Sequence, residues 1–114
     1  MLDHGESVKT FGYVFDIIGM PFKVVLNGMS FVYNIGGVDT VTIRQLAEAV
    51  AKHCGNVRVI LPEGKSSEEH IGSDPKYSQL DISKFVNEFA PVDFVSFTEG
   101  IRRTIEWNKL EYGF

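Results

Sequence analysis

Lys9-Thr-Phe-Gly-Tyr-Val-Phe-Asp-Ile-Ile-Gly-Met-Pro-Phe-Lys-Val-Val-Leu26 is the stretch on which the fold turns. Its first residues close a short strand, Ser7 to Phe11. From Phe11 to Leu26, eleven of sixteen positions are apolar, spread around the whole circumference of a helix instead of along one stripe. A helix of this kind must be covered on several sides. It is too short for a bilayer, which needs about 20 apolar residues, and it carries Asp16 and Lys23. Pro21 is expected to kink or split it, because the ring clashes with the preceding turn. Two readings follow: a central core helix, or a helix whose neighbour belonged to a larger protein.

The chain downstream supplies the rest of the pattern. Asn27-Gly28 ends the helix, Phe31-Val-Tyr-Asn-Ile35 reads as a short buried strand, and Gly36-Gly37 turns the chain. Thr42 with Gln45 three residues later predicts a capping box, which ties up amides at a helix start. Ile43, Leu46, Ala47, Val50, Ala51 and Cys54 then follow the spacing of a helix lying on a sheet, and Gly55 suits its C-terminal end. Val57 to Leu61 reads as a strand stopped by Pro62, and residues 63–76 as a polar loop. Asp81 is placed to cap a short helix through Phe89, ended by Pro91. Val92 to Val95 is a brief extended stretch, and Ser96 with Glu99 forms a second capping box before a final helix through Ile101, Ile105 and Trp107. The order β-α-β-α-β-loop-α-α predicts an α/β fold, a small sheet with packed helices, in one domain over residues 1–114.

Composition narrows the classes. The chain has 114 residues, 44% hydrophobic and 23% charged, which is ordinary globular usage. Fifteen acids against eleven bases give a formal charge of −4. No basic stripe is present to release phosphate counterions, so nucleic acid is not an expected partner. The single cysteine, Cys54, forms no internal disulfide. Asp3, His4 and Glu6 interrupt any apolar run at the N-terminus, so neither a signal peptide nor a membrane segment is expected. A cytoplasmic location is the default reading.

The chemistry-bearing residues are sparse. No Gly-x-Gly-x-x-Gly follows a strand, so a dinucleotide pyrophosphate has no glycine cradle. No Tyr is followed four positions later by Lys, the pairing that would lower its pKa for proton transfer. His4, His53 and His70 lie far apart without ligand-spaced partners, so no metal site is expected. Cys54 falls on the apolar helix face, where it reads as a core residue and not a nucleophile. No catalytic residue is therefore assigned. Two segments could hold an anion. Lys9 stands at a strand end ahead of the first helix, whose N-terminus offers free amides and partial positive charge. The loop His70-Ile-Gly-Ser-Asp-Pro-Lys-Tyr77 offers Asp74 for a sugar hydroxyl, and His70 or Lys76 for a phosphate. Each alone also reads as an ordinary solvated surface.

Taken in order, four pieces resemble the C-terminal portion of NAD-dependent sugar-nucleotide epimerases and dehydratases, the extended short-chain dehydrogenase/reductase family. Lys9-Thr-Phe-Gly-Tyr-Val-Phe-Asp16 is similar to Arg-Asp-Phe-x-Tyr-Val-x-Asp. Val32-Tyr-Asn-Ile-Gly-Gly37 with Val41-Thr-Ile-Arg-Gln-Leu-Ala47 resembles the Tyr-Asn-Ile-Gly strand and its Ser-Ile-x-Glu-Leu helix. Gly72-Ser-Asp74 through Leu80-Asp-Ile-Ser-Lys84 resembles the Arg-Pro-Gly-x-Asp loop and Asp-x-Ser-Lys helix. Ser96 to Trp107 resembles the closing Ser-x-Glu-Glu-Gly-Leu-x-x-Thr-x-x-Trp helix.

The resemblance implies a substrate-binding lobe of a parent that epimerises, dehydrates or reduces nucleotide sugars. This chain binds no cofactor of its own on that reading. The glycine-rich NAD loop and the Tyr-x-x-x-Lys pair belong to an N-terminal part that the sequence lacks, so the chain alone is expected to be inactive. By position, the resemblance assigns Lys9 to the nucleotide diphosphate, Phe11 to the nucleotide pocket, Ile43 to the base and Asp74 to the ribose. His70 takes the place of a second diphosphate Arg. Lys at position 9 is a point charge without the fork-like grip of Arg, and His70 is mostly neutral at pH 7. The alternative is a stand-alone, non-catalytic binding or association domain for an anionic ligand. Leaving several large side chains of residues 11–26 bare would cost several kcal/mol at roughly 1.5–3 kcal/mol each, so self-association through that segment is expected.

Overall fold

A computed structural model describes residues 4–61 and 75–113 of the chain. Strand β1 (Val8–Phe11) is followed by helix α1 (Val14–Asn27), β2 (Asp39–Thr42), α2 (Ile43–Cys54), β3 (Tyr77–Ser78), α3 (Ser83–Glu88) and α4 (Phe97–Tyr112). The three strands form a small mixed sheet in the order β2-β1-β3. β1 pairs antiparallel with β2, Lys9 opposite Val41 and Phe11 opposite Asp39, and parallel with β3, Val8 opposite Tyr77 and Lys9 opposite Ser78. The architecture is thus the expected small α/β type, with the first strand where the sequence placed it and the other two elsewhere.

β1 has two edges, and both are taken. Residues 31–35 are not a strand: the edge they would need pairs with Asp39–Thr42, which leads straight into α2. Residues 31–35 instead hang from α3 by side chains. The Tyr33 hydroxyl accepts the amides of Met29 and Ser30 and donates to Glu88 Oε1 at 2.7 Å. Asn34 Nδ2 donates to the Asp81 carbonyl, and Lys84 Nζ to the Val32 carbonyl. Lys84 Nζ also lies 4.9 Å from the centre of the Tyr33 ring. Residues 57–61 are likewise not a strand, since β3 holds the second edge; Val57 and Ile60 are exposed.

The capping expectations divide. Thr42 Oγ1 accepts the Gln45 amide while Gln45 Oε1 accepts the Thr42 amide, so the first box is complete and α2 begins where β2 ends. Ser96 Oγ accepts the Glu99 amide, but the Glu99 carboxylate is held by Arg102 and Arg103, so the second box forms by half. Asp81 Oδ1 does accept an amide, that of Ser83, at the start of α3.

α1 ends at Asn27 and Gly28 as the sequence suggested, and Pro21 does not split it. Met20 is its buried residue, joined in the core by Ile82 and by Phe85, which is fully enclosed. Asp16 Oδ2 accepts the Val95 amide and fixes the N-terminal half of α1 to the segment before α4. The opposite side of the helix is bare. Glycine is required where β1 leaves the sheet: a Cβ on Gly37 would overlap the backbone of Phe11 and Gly12, so these two chain segments cross at van der Waals contact.

Candidate functional site

Four of the six expected binding residues, Lys9, Phe11, Ile43 and Lys76, lie in the sheet or directly beside it. Lys9 is central in β1, level with Val41 on one side and Ser78 on the other. Ile43, the first residue of α2, donates its amide to the Ser7 carbonyl at 3.0 Å. Lys76 accepts the Val8 amide on its carbonyl at 2.7 Å. Adjacent strands lie about 4.8 Å apart, so Ile43, Lys9 and Lys76 stand on three neighbouring segments within two residues of one another along β1.

Lys9 does not serve the α1 N-terminus, as the sequence suggested. It sits inside the strand five residues before Val14, and its ammonium donates to the Pro75 carbonyl at 2.9 Å. The cation therefore belongs to the β3 side of the sheet. Phe11, two residues on and on the same face of the strand, packs its ring 5.9 Å from that of Phe97. It lines a cavity of about 270 Å³ between β1 and α4 with Tyr13, Asp39, Ile101 and Thr104. Phe11 thus both packs against α4 and lines the cavity, around which Asp39 Oδ2 accepts the Phe97 amide and Thr104 Oγ1 donates to the Gly100 carbonyl. His70 and Asp74 lie outside the described residues.

Of two neighbours of this region, the sequence reading passed over Arg44 and gave Tyr77 only as the end of the loop from His70. Arg44 donates through Nε and Nη2 to the His4 carbonyl and pins the N-terminal turn beside Ile43. Tyr77 faces Val8 across the parallel pair, and its hydroxyl donates to Gln79 Oε1. A two-residue strand carries no periodicity, so the pairing of Tyr77 with Val8 was not legible in the sequence. Thr10 Oγ1 donates to the Ser78 carbonyl and locks β3 in place.

Away from the sheet, the titration shifts are structural. Hydrogen bonds from Arg102 and Arg103 hold the Glu99 carboxyl down at about 2. Hydrogen bonds from Tyr33 and the Met29 amide lower Glu88, while partial burial and then the Glu88 carboxylate raise Tyr33. The Ser83 amide and hydroxyl lower Asp81. Among the described residues no three His, Cys, Asp or Glu side chains gather to hold a metal ion. No helix among them is long and apolar enough to cross a membrane. At the turn from β1 into α1, the direction a Cβ on Gly12 would take is filled by Ile17 and Gly37.

No family model matches the chain, and no solved structure does. Among curated proteins it is 30% identical over 111 residues to the dTDP-glucose 4,6-dehydratase of Shigella flexneri and to that of Escherichia coli, in each case over 90% of this chain. It is 35% identical over 80 residues to the dTDP-glucose 4,6-dehydratase of Streptomyces niveus, over 67% of this chain and 21% of that protein. The chain spans 30% of the length of the first two relatives, and what it resembles is therefore a portion of a sugar-nucleotide dehydratase.

Proposed function

We propose that this chain is the nucleotide-sugar-holding portion of an extended short-chain dehydrogenase/reductase, catalytically incomplete by itself. The observation that carries the reading is the convergence of Lys9, Ile43 and Lys76 on three adjacent segments of one small sheet, in a chain similar over most of its length to dTDP-glucose 4,6-dehydratases. Lys9 and Lys76 supply positive charge for a diphosphate, Ile43 an apolar surface for a base, and residues 70–74 contribute His70 and Asp74 to the diphosphate and ribose. The NAD chemistry of the parent resides in residues outside this sequence. Copies of the chain associate through residues 11–26, whose apolar face is uncovered.

Calorimetric titration with dTDP-glucose tests the proposal. The chain should bind, and Lys9→Ala should weaken binding by about tenfold, the scale of one charge-assisted contact. Equal affinity in the variant would remove Lys9 from the site, and no binding by the unaltered chain would overturn the reading.

A further inference from the structure

The cavity between β1 and α4 has a chemistry that the surroundings of Lys9 do not share. Three aromatic residues, Phe11, Tyr13 and Phe97, line its 270 Å³ together with Asp39. Phe11 and Asp39 are cross-strand partners, so their side chains stand side by side on one face of the sheet, about 5 Å apart at Cβ. The ring of Phe97, in the first turn of α4, lies 5.9 Å from that of Phe11 and is tilted 55° to it, which makes a wedge of the two rings. Tyr13 lies against α4 at Gly100, where a Cβ would come within 3.3 Å of the Tyr13 ring. That ring already holds one cation: the Arg103 guanidinium carbon stands 5.7 Å from its centre.

Charge decides what such a cavity admits. Among the described residues no Lys, Arg or His lines it. Lys9 shares the sheet face with Phe11 but reaches to Pro75 on the β3 side, whereas Asp39 stands on the β2 side. Asp39 Oδ2 accepts the Phe97 amide and Asp16 Oδ2 the Val95 amide, both at the approach to α4. A helix start is equivalent to about half a positive charge, so two carboxylates against the starts of α1 and α4 leave on the order of one negative charge. Arg102 and Arg103 add none, being matched by Glu99 and Glu106. An anion is therefore repelled, while a cation with an apolar body meets both the carboxylate and the aromatic walls. The cavity is slightly smaller than the roughly 300–1,000 Å³ of most ligand sites, which selects a small molecule. A single carboxylate is too few donors for a metal ion.

We propose that this cavity binds a small organic ammonium ion, its charged nitrogen held between the Asp39 carboxylate and the wedge of Phe11 and Phe97. Asp39 then has two tasks, anchoring the first amide of α4 through Oδ2 and neutralising the ligand. The site stands apart from the nucleotide reading, since its ligand carries no phosphate and its charge is of the opposite sign.

Choline is the probe, and dimethylbutanol, its uncharged isostere with carbon in place of nitrogen, is the control. Each is titrated into the isotopically labelled chain at constant ionic strength while backbone amide resonances are followed. Choline should give saturable shifts at Tyr13 and Val14, at Asp39 and from Val95 to Ile101, and dimethylbutanol at the same concentrations should not. Asp39→Asn removes the charge but keeps an oxygen able to accept the Phe97 amide, and should weaken choline binding about tenfold or more. If that variant loses helical circular dichroism, Phe97→Leu, which keeps an apolar side chain and removes the ring, decides and should also weaken binding. A spectrum unmoved by choline would overturn the site. Equal shifts from dimethylbutanol, or unchanged choline affinity in the folded variants, would show an apolar hollow without charge recognition and overturn it equally.

Discussion

Replacing Phe85 by Ala tests where the stability of this chain resides. Phe85 in α3 has no exposed surface; its ring lies 4.8 Å from that of Phe89, and it joins Met20 of α1 to Ile82 ahead of α3. Truncation removes the buried ring and leaves a cavity that neighbours on three segments can fill only in part, at about 3–5 kcal/mol. A domain of this size has roughly 5–15 kcal/mol in total, so the variant should retain the fold narrowly. With a urea slope of about 1–3 kcal/mol per molar, the midpoint should fall by about 2 M. Leu110→Ala, on an α4 side chain 87% exposed, provides the control and should change stability by no more than about 0.5 kcal/mol. Urea titration followed by circular dichroism reads both. If Phe85→Ala cost less than about 1 kcal/mol, Phe85 would not be the centre of the core and the docking of α1 through Met20 would be wrong.

Two further perturbations probe the frame of the site. Gly37→Ala puts a methyl group into the backbone of Phe11 and Gly12; a destabilisation of about 1–3 kcal/mol is expected by thermal or urea unfolding, and a neutral result would refute the close crossing of the two segments. Glu99 titrates at about 2 in the folded chain against an ordinary 4.5, because Arg102 and Arg103 hold its charged form. Its contribution is thus fully present above pH 4.5 and lost as pH falls through about 2. Between those limits Glu99→Gln should flatten the fall of the urea midpoint with acid, and an unchanged slope would contradict the pairing.

How far the sequence could be read depended on whether the signal was local. The Thr42 and Gln45 box, the helix after it and the short helix near Phe85 are local, and they form where their spacing placed them. Strand identity depends on who pairs with β1, which is a long-range competition. Residues 31–35 have strand composition, yet Tyr33 and Asn34 give their hydrogen bonds to α3 and its approach, and the plainer Asp39–Thr42 takes the edge. For the site, the charge of Lys9 and its chain position were legible. Its partner Pro75, 66 residues away, was not, because nothing in either segment encodes their adjacency. The apolar excess of α1 was visible from composition. Which of its residues faces the core was not: Met20 does, while Phe15, Phe22 and Val25 stay exposed.

The most direct test of the nucleotide-holding role is to titrate dTDP into the isotopically labelled chain and follow its backbone amide resonances. The account predicts saturable shifts clustered at Val8–Phe11, Val41–Ile43 and Lys76–Ser78, the three segments that meet around Lys9. Shifts confined to the cavity beneath α4, or a spectrum unmoved at millimolar nucleotide, would contradict it.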